Sequence, residues 1–392
     1  MNASATLAGM TPLRLLFASW YTGLGGGETA LLNLANALDP ARYELYLLVP
    51  REDQLSERWR GHGWQVHILP YRGASTYFVP AIGARFPIVS KIKRLLREQQ
   101  IHAVYSDYHT LPYALPAAER AGIAALWMCH GWWFHPKIWQ RDFFRRPAAG
   151  FAASQAVQRG FLGEPPFMSP EQLPVLPLGV DTERFNSSVD GTTVRAELGI
   201  ASDVPLVAML ARFQTVKGHD VFQAMAKQVG EHSLQARFIV AGDNVHGVSA
   251  DDAYKARILA AAQADPYLRE HLTYLGFRDD VERVIAAADV VVCTSEFESY
   301  GMAVLEANAC GKPVVSTRRG GPGETILDGE TGYLVNAGDS DALAQKVVTL
   351  LRDPALRQRM GAAGRKRVEE HYSALAMARV FSQTVERLVA QD

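Results

Sequence analysis

Short apolar runs alternate with longer amphipathic stretches along nearly the whole chain. A strand buried on both faces reads as continuous valine, isoleucine and leucine, whereas a helix repeats its apolar positions every three or four residues. The first half carries such strands near 13–18, 43–49, 65–69, 103–105, 124–128 and 150–153. The second half carries them near 206–210, 237–241, 272–275, 290–293, 313–316 and 333–335. Strands alternating with helices imply parallel sheets with helices on both faces. Two series of similar length predict an α/β protein of two Rossmann-like domains, and no short fixed-period repeat is visible. Ligands of open α/β sheets sit beyond the carboxyl ends of the strands, so two such domains facing each other would hold a ligand in the cleft.

The passage between domains falls between Pro177 and Asp203, where Pro177, Gly179, Asn186, Ser187, Ser188 and Gly191 mark irregular chain. This gives a first domain over 1–180, a second over 181–372 and a terminal amphipathic helix within 373–392. The first dozen residues lack any pattern and read as a disordered lead-in.

A length of 392 residues exceeds what one hydrophobic core usually serves, which agrees with two domains. The net charge of −1 disfavours nucleic acid as the main partner. Cations nevertheless gather in the first half, at Lys91, Lys93, Arg94, Arg97, Arg141, Arg145 and Arg146. Cys129, Cys293 and Cys310 fit no zinc spacing, and an odd count argues against a disulfide framework; a reducing cytoplasm is the expected location. No apolar run reaches the roughly 18–20 residues of a membrane span, and the amino terminus lacks the basic-then-apolar order of a secretion signal. One helix does raise the question of a membrane surface. Residues 88–96 place Ile88, Ile92, Leu95 and Leu96 on one face beside the cations just named. Such a helix either lies on anionic lipid, at the inner face of the membrane, or packs as an ordinary amphipathic helix.

The most informative chemistry lies at 294–306, Thr-Ser-Glu-Phe-Glu-Ser-Tyr-Gly-Met-Ala-Val-Leu-Glu, directly after a valine-rich strand. Glu298 and Glu306 flank Gly301, where a loop turns into a helix. A helix N-terminus offers unpaired N–H groups and partial positive charge to a phosphate. A carboxylate on either side can accept hydroxyl protons, so the layout suits a ligand with sugar, pyrophosphate and ribose in a row. Arg212 and Lys217 follow an earlier strand and can neutralise a pyrophosphate as it departs. Gly25-Gly26-Gly27 opens a helix after the first strand. It is not Gly-x-Gly-x-x-Gly, and Val49-Pro50-Arg51 at the end of the second strand supplies no ribose-binding acid, which disfavours a nicotinamide or flavin. Glu28 reads as a helix-terminal charge rather than a catalyst.

The segment with Ser295, Glu298, Gly301 and Glu306 resembles the Glu-x7-Glu signature of the retaining glycosyltransferases of family 4 (glycosyl transferases group 1), which have the GT-B fold. The resemblance is strong over 179–335 and looser before it. It implies that Glu298 holds the donor sugar, that Glu306 holds the ribose, and that Arg212 and Lys217 hold the diphosphate. It adds Gly26, Gly27, Gly242, Phe277, Ser299, Tyr300, Gly301 and Met302 as donor contacts. His130, in Cys129-His130-Gly131, is placed beside the donor sugar or phosphate. Gly320-Gly321-Pro322-Gly323-Glu324 resembles a glycine-rich loop near the donor, and the terminal helix is implied to cross back onto the first domain.

Asp107, His109 and Trp132 follow strand ends in the first domain and are candidates for the acceptor. Trp132, Trp133 and Phe134 could stack on a sugar, meet a membrane surface or pack in a core. No Asp-x-Asp stands at a suitable strand end, and with Arg212 and Lys217 carrying the charge no metal or other cofactor is required. The function implied is transfer of a hexose-type unit from a nucleoside-diphosphate sugar to a glycan or lipid-linked glycan, with retention. Two rivals remain. A sugar-nucleotide epimerase would need an acid–base pair that the sequence does not offer, and a non-catalytic scaffold of the same fold would bind the donor without turning it over.

Overall fold

The computed structural model describes residues 11–73, 87–131, 135–232, 235–244 and 249–390. The chain divides into two compact units, residues 1–179 with 374–392, and residues 180–373.

The first unit is built on strands β1 (Leu13–Ala18), β2 (Tyr43–Val49), β3 (Gln65–Ile68), β4 (Ala103–Asp107), β5 (Ala124–Cys129) and β6 (Ala149–Ala152). All pairs are parallel, in the order β3-β2-β1-β4-β5-β6. The second unit carries β7 (Leu206–Leu210), β8 (Arg237–Ala241), β9 (Leu272–Gly276), β10 (Val290–Cys293), β11 (Val314–Thr317) and β12 (Gly332–Val335). These are parallel too, in the order β12-β11-β10-β7-β8-β9. Each sheet therefore starts in its middle and winds outward both ways. The direction reverses between β1 and β4 in one unit and between β7 and β10 in the other. Chain leaving the carboxyl ends of such a strand pair diverges to opposite faces and opens a crevice for a ligand.

The expected strands are all present, with ends shifted by a residue or two. Their continuous apolar runs follow from burial on both faces: Leu206, Val207 and Ala208 of β7 and Val290 of β10 are fully buried. In the second unit Phe222 and Phe238 meet edge to face beneath the sheet, with ring centroids 6.2 Å apart. In the first unit Phe17 of β1 packs against Trp59, Tyr105 and Phe381 at 5.5, 5.5 and 6.0 Å. Phe381 belongs to the helix Ala374–Val389, whose residues Met377, Ala378, Phe381 and Val385 are buried. The same helix holds Glu386, which accepts hydrogen bonds from Arg42 and from the Tyr43 hydroxyl.

The helix Pro87–Glu98 decides between the two readings of its apolar stripe in favour of an ordinary amphipathic helix. Ile88, Ile92, Leu95 and Leu96 are buried in the first unit, so they are not available to lipid. Lys91, Arg94 and Arg97 remain exposed beside them. Period alone cannot tell a core-facing stripe from a lipid-facing one, because both want the same residues. Among the described residues no helix is long and apolar enough to cross a membrane. The lead-in and the Trp132 segment lie outside the described residues.

Candidate functional site

Lys217 closes a short 3-10 turn, Thr215–Lys217, that follows β7. Thr294, just past β10, fixes this turn: its hydroxyl lies 2.8 Å from the carbonyl of Lys217 and 2.9 Å from that of Gly218. Glu296 N–H donates to the Val216 carbonyl at 2.8 Å. The loops leaving the two central strands are thus tied together at the reversal point of the sheet.

Across this junction Lys217 Nζ meets Glu298 Oε2 at 2.5 Å, with side chains only 19% and 17% exposed. Ser295 Oγ donates to the same carboxylate oxygen at 3.1 Å. Gly301 caps the helix Met302–Ala309 with φ 90° and ψ 53°, a left-handed conformation that suits glycine. A methyl on Gly301 would lie 3.5 Å from Glu298 Cγ, so the cap and the carboxylate are neighbours. The first bond inside the helix runs from Val304 N–H to the Gly301 carbonyl, which leaves the N–H groups of Met302 and Ala303 ahead of the ladder. A cation, an anion and a helix N-terminus therefore converge within one unit.

Glu298 owes its position to a second contact. It forms an isolated bridge with Gly320, with Glu298 N–H donating to Arg319 at 3.2 Å and Gly321 N–H donating to Glu298 at 2.8 Å. Gly320 has φ 93°, and a methyl there would sit 1.9 Å from the Glu298 carbonyl oxygen. Thr317 adds a hydroxyl bond of 2.6 Å to the Ser295 carbonyl.

Glu306, within that helix, is buried; its carbonyl accepts from Cys310 N–H at 3.0 Å, while its carboxyl has no hydrogen-bond donor among the described residues. Burial pushes its carboxyl up to about 7; nearby Arg184 lowers it and Glu282 raises it. Arg184 itself pairs with Glu282 at 2.7 Å. A buried carboxyl without a donor is costly unless a ligand supplies one.

The other candidates distribute as follows. Arg212 is exposed just past β7 and its guanidinium has no ion pair among the described residues. Gly242 N–H donates to Gly276 at 2.8 Å, joining the ends of β8 and β9, and Phe277 beyond it is 54% exposed. Tyr300 and Met302 are buried side chains, so what they present at the cap is main chain. Ser299 lies between Glu298 and Tyr300 in the same loop. In the first unit, the His130 ring lies over Gly27, 3.5 Å from where a methyl would be. Ser19, Gly27, Glu28, Asp107 and His130 line one small cavity. Burial lowers the His130 pKa, so the ring is neutral near pH 7. Gly26 opens the helix, and Glu28 accepts a bond from Gly25 N–H at 3.0 Å, the helix-terminal role expected of it. Asp107 is buried and accepts from main-chain N–H groups of Trp20 and Thr110 at 2.6 and 2.7 Å.

Residues 190–367 match the family described as Glycosyl transferases group 1, and residues 24–184 match Glycosyltransferase Family 4. The chain belongs to the group 1 glycosyltransferase family. Within that family it is 34% identical over 191 residues to the N-acetyl-alpha-D-glucosaminyl L-malate synthase of Bacillus anthracis, covering 48% of this chain and 47% of the relative. The chain thus spans about half the length of that curated relative. It is 29% identical over 344 residues to a GDP-mannose-dependent alpha-(1-6)-phosphatidylinositol monomannoside mannosyltransferase of Mycolicibacterium smegmatis, covering 79% of this chain and 87% of the relative. The crystal structure of Anabaena Alr3699/HepE with UDP and glucose superposes with a TM-score of 0.79 at 21% identity, over 95% of this chain and 99% of that one. The fold is that of the GT-B glycosyltransferases.

Sequence reasoning for this family member missed Thr294, Thr317, Arg184 and Glu282, which act through contacts distant in sequence. It also missed His219, which is buried and stacks on Phe213 at 4.5 Å. Burial pushes its pKa down to about 4, so it adds no charge beside Lys217 at neutral pH.

Proposed function

We propose that the protein is a retaining glycosyltransferase that moves a hexose-type unit from a nucleoside-diphosphate sugar to an acceptor hydroxyl. The observation that carries this reading is the convergence of Lys217, Glu298 and the Gly301 helix cap at the reversal point of one sheet. Lys217, Arg212 and the N–H groups after Gly301 would bind the diphosphate, Glu298 the sugar hydroxyls and Glu306 the ribose. In the transfer the bond from the anomeric carbon to phosphate oxygen breaks while the acceptor oxygen bonds to the same face. The acceptor's hydroxyl proton passes to the departing phosphate. Fixed positive charge stabilises that phosphate without reorganising, so in this reading no metal is needed. From the first unit, the resemblance assigns donor contacts to Gly26, Gly27 and His130; a neutral imidazole can exchange hydrogen bonds with a sugar hydroxyl.

The acceptor in this proposal is a glycan or lipid-linked glycan of surface-polysaccharide or glycolipid assembly, met from the cytoplasm. The Mycolicibacterium relative named for a phosphatidylinositol monomannoside supports it, as does the exposed basic row Lys91, Arg94 and Arg97. The Anabaena structure with UDP and the GDP-mannose-dependent relative point to different bases, so the test is a panel. UDP-, GDP-, ADP- and TDP-hexoses are compared by thermal shift, with and without EDTA. One base at about 100 times its Kd should add about 2.7 kcal/mol, a rise of several degrees that survives EDTA. A panel that leaves the melting point unmoved would refute the reading.

Glu306 gives this proposal a pH signature. Its raised pKa means that the folded chain holds the carboxyl proton up to about 7. Ribose hydroxyls donate to the ionised form, so binding favours loss of that proton. Nucleotide Kd should be flat above pH 8 and should rise about tenfold per unit below pH 7, since one pKa unit is about 1.4 kcal/mol. Calorimetry of the selected nucleotide across pH 5.5–8.5 reads this out. Glu306→Gln should weaken binding and flatten the profile; an unchanged slope in that variant would remove Glu306 from the ribose.

A further inference from the structure

The loops after β1 and β4 carry three aromatic rings that the donor chemistry does not use. Trp20 and Tyr21 follow β1, and His109 follows β4. Their centroids lie 5.3 Å apart for Trp20 and Tyr21, 5.0 Å for Trp20 and His109, and 5.2 Å for Tyr21 and His109. The indole and phenol planes meet at 74°, which makes two walls of a corner rather than a flat stack. A hydrogen bond of 2.9 Å joins the Tyr21 hydroxyl to His109 Nε2. Tyr21 is 40% exposed.

The corner is fixed from beneath. Asp107, 7% exposed at the end of β4, accepts from Trp20 N–H at 2.6 Å and from Thr110 N–H at 2.7 Å. The Ser19 hydroxyl sits 2.9 Å from the Tyr21 carbonyl and 3.2 Å from the same carboxylate. Gly73 packs against the indole so closely that a methyl there would lie 2.6 Å from the ring. A buried carboxylate thus holds a half-exposed aromatic pair in one orientation, which is how a binding surface is preorganised. The location agrees, because β1 and β4 flank the reversal point of the first sheet.

An aromatic face is electron-rich and attracts the partly positive C–H hydrogens on one side of a pyranose, while a phenol and an imidazole at its edge meet hydroxyls. The Asp107 charge beneath the corner disfavours an anion. We infer that Trp20, Tyr21 and His109 form a subsite for a neutral pyranose ring, the acceptor sugar unit next to the glycosylated hydroxyl. The assignment rests on the transferase reading above and narrows its acceptor to one that ends in a sugar.

Saturation-transfer NMR on the full chain tests it with the methyl α-pyranosides of glucose, mannose and galactose, and with malate as an anionic comparison. At least one pyranoside should show strong ring-proton saturation and malate none. Tyr21→Ala should reduce the effect about tenfold, an amount equal to one stacking contact. Tyr21→Phe, which keeps the ring and loses the bond to His109, should retain most of it. If Tyr21→Ala melts early, His109→Ala takes its place with the same expectation. No saturation in the parent chain, stronger saturation of malate, or saturation indifferent to these substitutions would overturn the subsite. Nucleoside-diphosphate binding, measured by calorimetry on the same samples, should not change in the variants. A parent chain that binds a pyranoside through Tyr21 but no nucleotide would instead sink the transferase reading.

Discussion

Replacing Glu298 by glutamine should lower sugar transfer by about a thousandfold while a bare nucleoside diphosphate binds at least as tightly as before. The two effects part because Lys217 and Glu298 face each other at 2.5 Å with little solvent between them. The carboxylate engages the ammonium that the proposal gives to the diphosphate. Glutamine keeps the volume and one hydrogen bond but removes the competing charge, so all of the lysine's charge becomes available to phosphate. The sugar hydroxyls lose a charged acceptor, and each such bond contributes about 1.5–3 kcal/mol. Lys217→Met should lower transfer and diphosphate binding together. Initial rates with the nucleotide sugar chosen by thermal shift, alongside calorimetry of its diphosphate, measure both quantities. Transfer at the parental rate in Glu298→Gln, or in Glu298→Ala, would end the assignment of this carboxylate to the sugar.

A second large effect is expected at a residue with no functional group. Gly320→Ala should destabilise the protein by about 3 kcal/mol and cut transfer by about a hundredfold in the molecules that remain folded. The methyl would stand 1.9 Å from the Glu298 carbonyl oxygen and 2.9 Å from its carbon, and neither atom belongs to a movable side chain. The peptide of Glu298 must shift, and a shift of about 1 Å at a positioning element costs roughly that much rate. Gly329→Ala is the control. Gly329 has φ 82° but open space around its missing methyl, so only the backbone penalty of about 1 kcal/mol applies. Urea unfolding and transfer rates on both variants decide the matter. If Gly320→Ala behaves like Gly329→Ala, the Glu298 main chain is not held as described.

The strands were legible because their sequence is written by burial on both faces; Val290, Val291 and Val292 admit little else. The site was legible where its residues are neighbours in sequence or follow a strand end, as Glu298 and Gly301 do. What stayed hidden depends on pairing across the fold. Lys217 and Glu298 are 81 positions apart, and nothing local announces that they meet. The raised pKa of Glu306 depends first on its burial and then on Arg184 and Glu282, which come from other segments. Asp107 read as an acceptor ligand because it ends a strand, yet its oxygens serve the main chain of Trp20 and Thr110. Trp20 and Tyr21 carried no signal at all, since an aromatic pair after a strand is most often core.

The helix Ala374–Val389 has a consequence for how the protein is made. Phe381 completes the cluster around Phe17, Tyr105 and Phe151, yet the ribosome delivers it some two hundred residues after the rest of that cluster. Residues 180–373, contiguous and synthesised in between, can mature while the earlier half still waits for its last helix. The order of synthesis is therefore reversed in the order of completion: the aromatic cluster of the first unit closes only once residues 374–389 have followed the whole of the second.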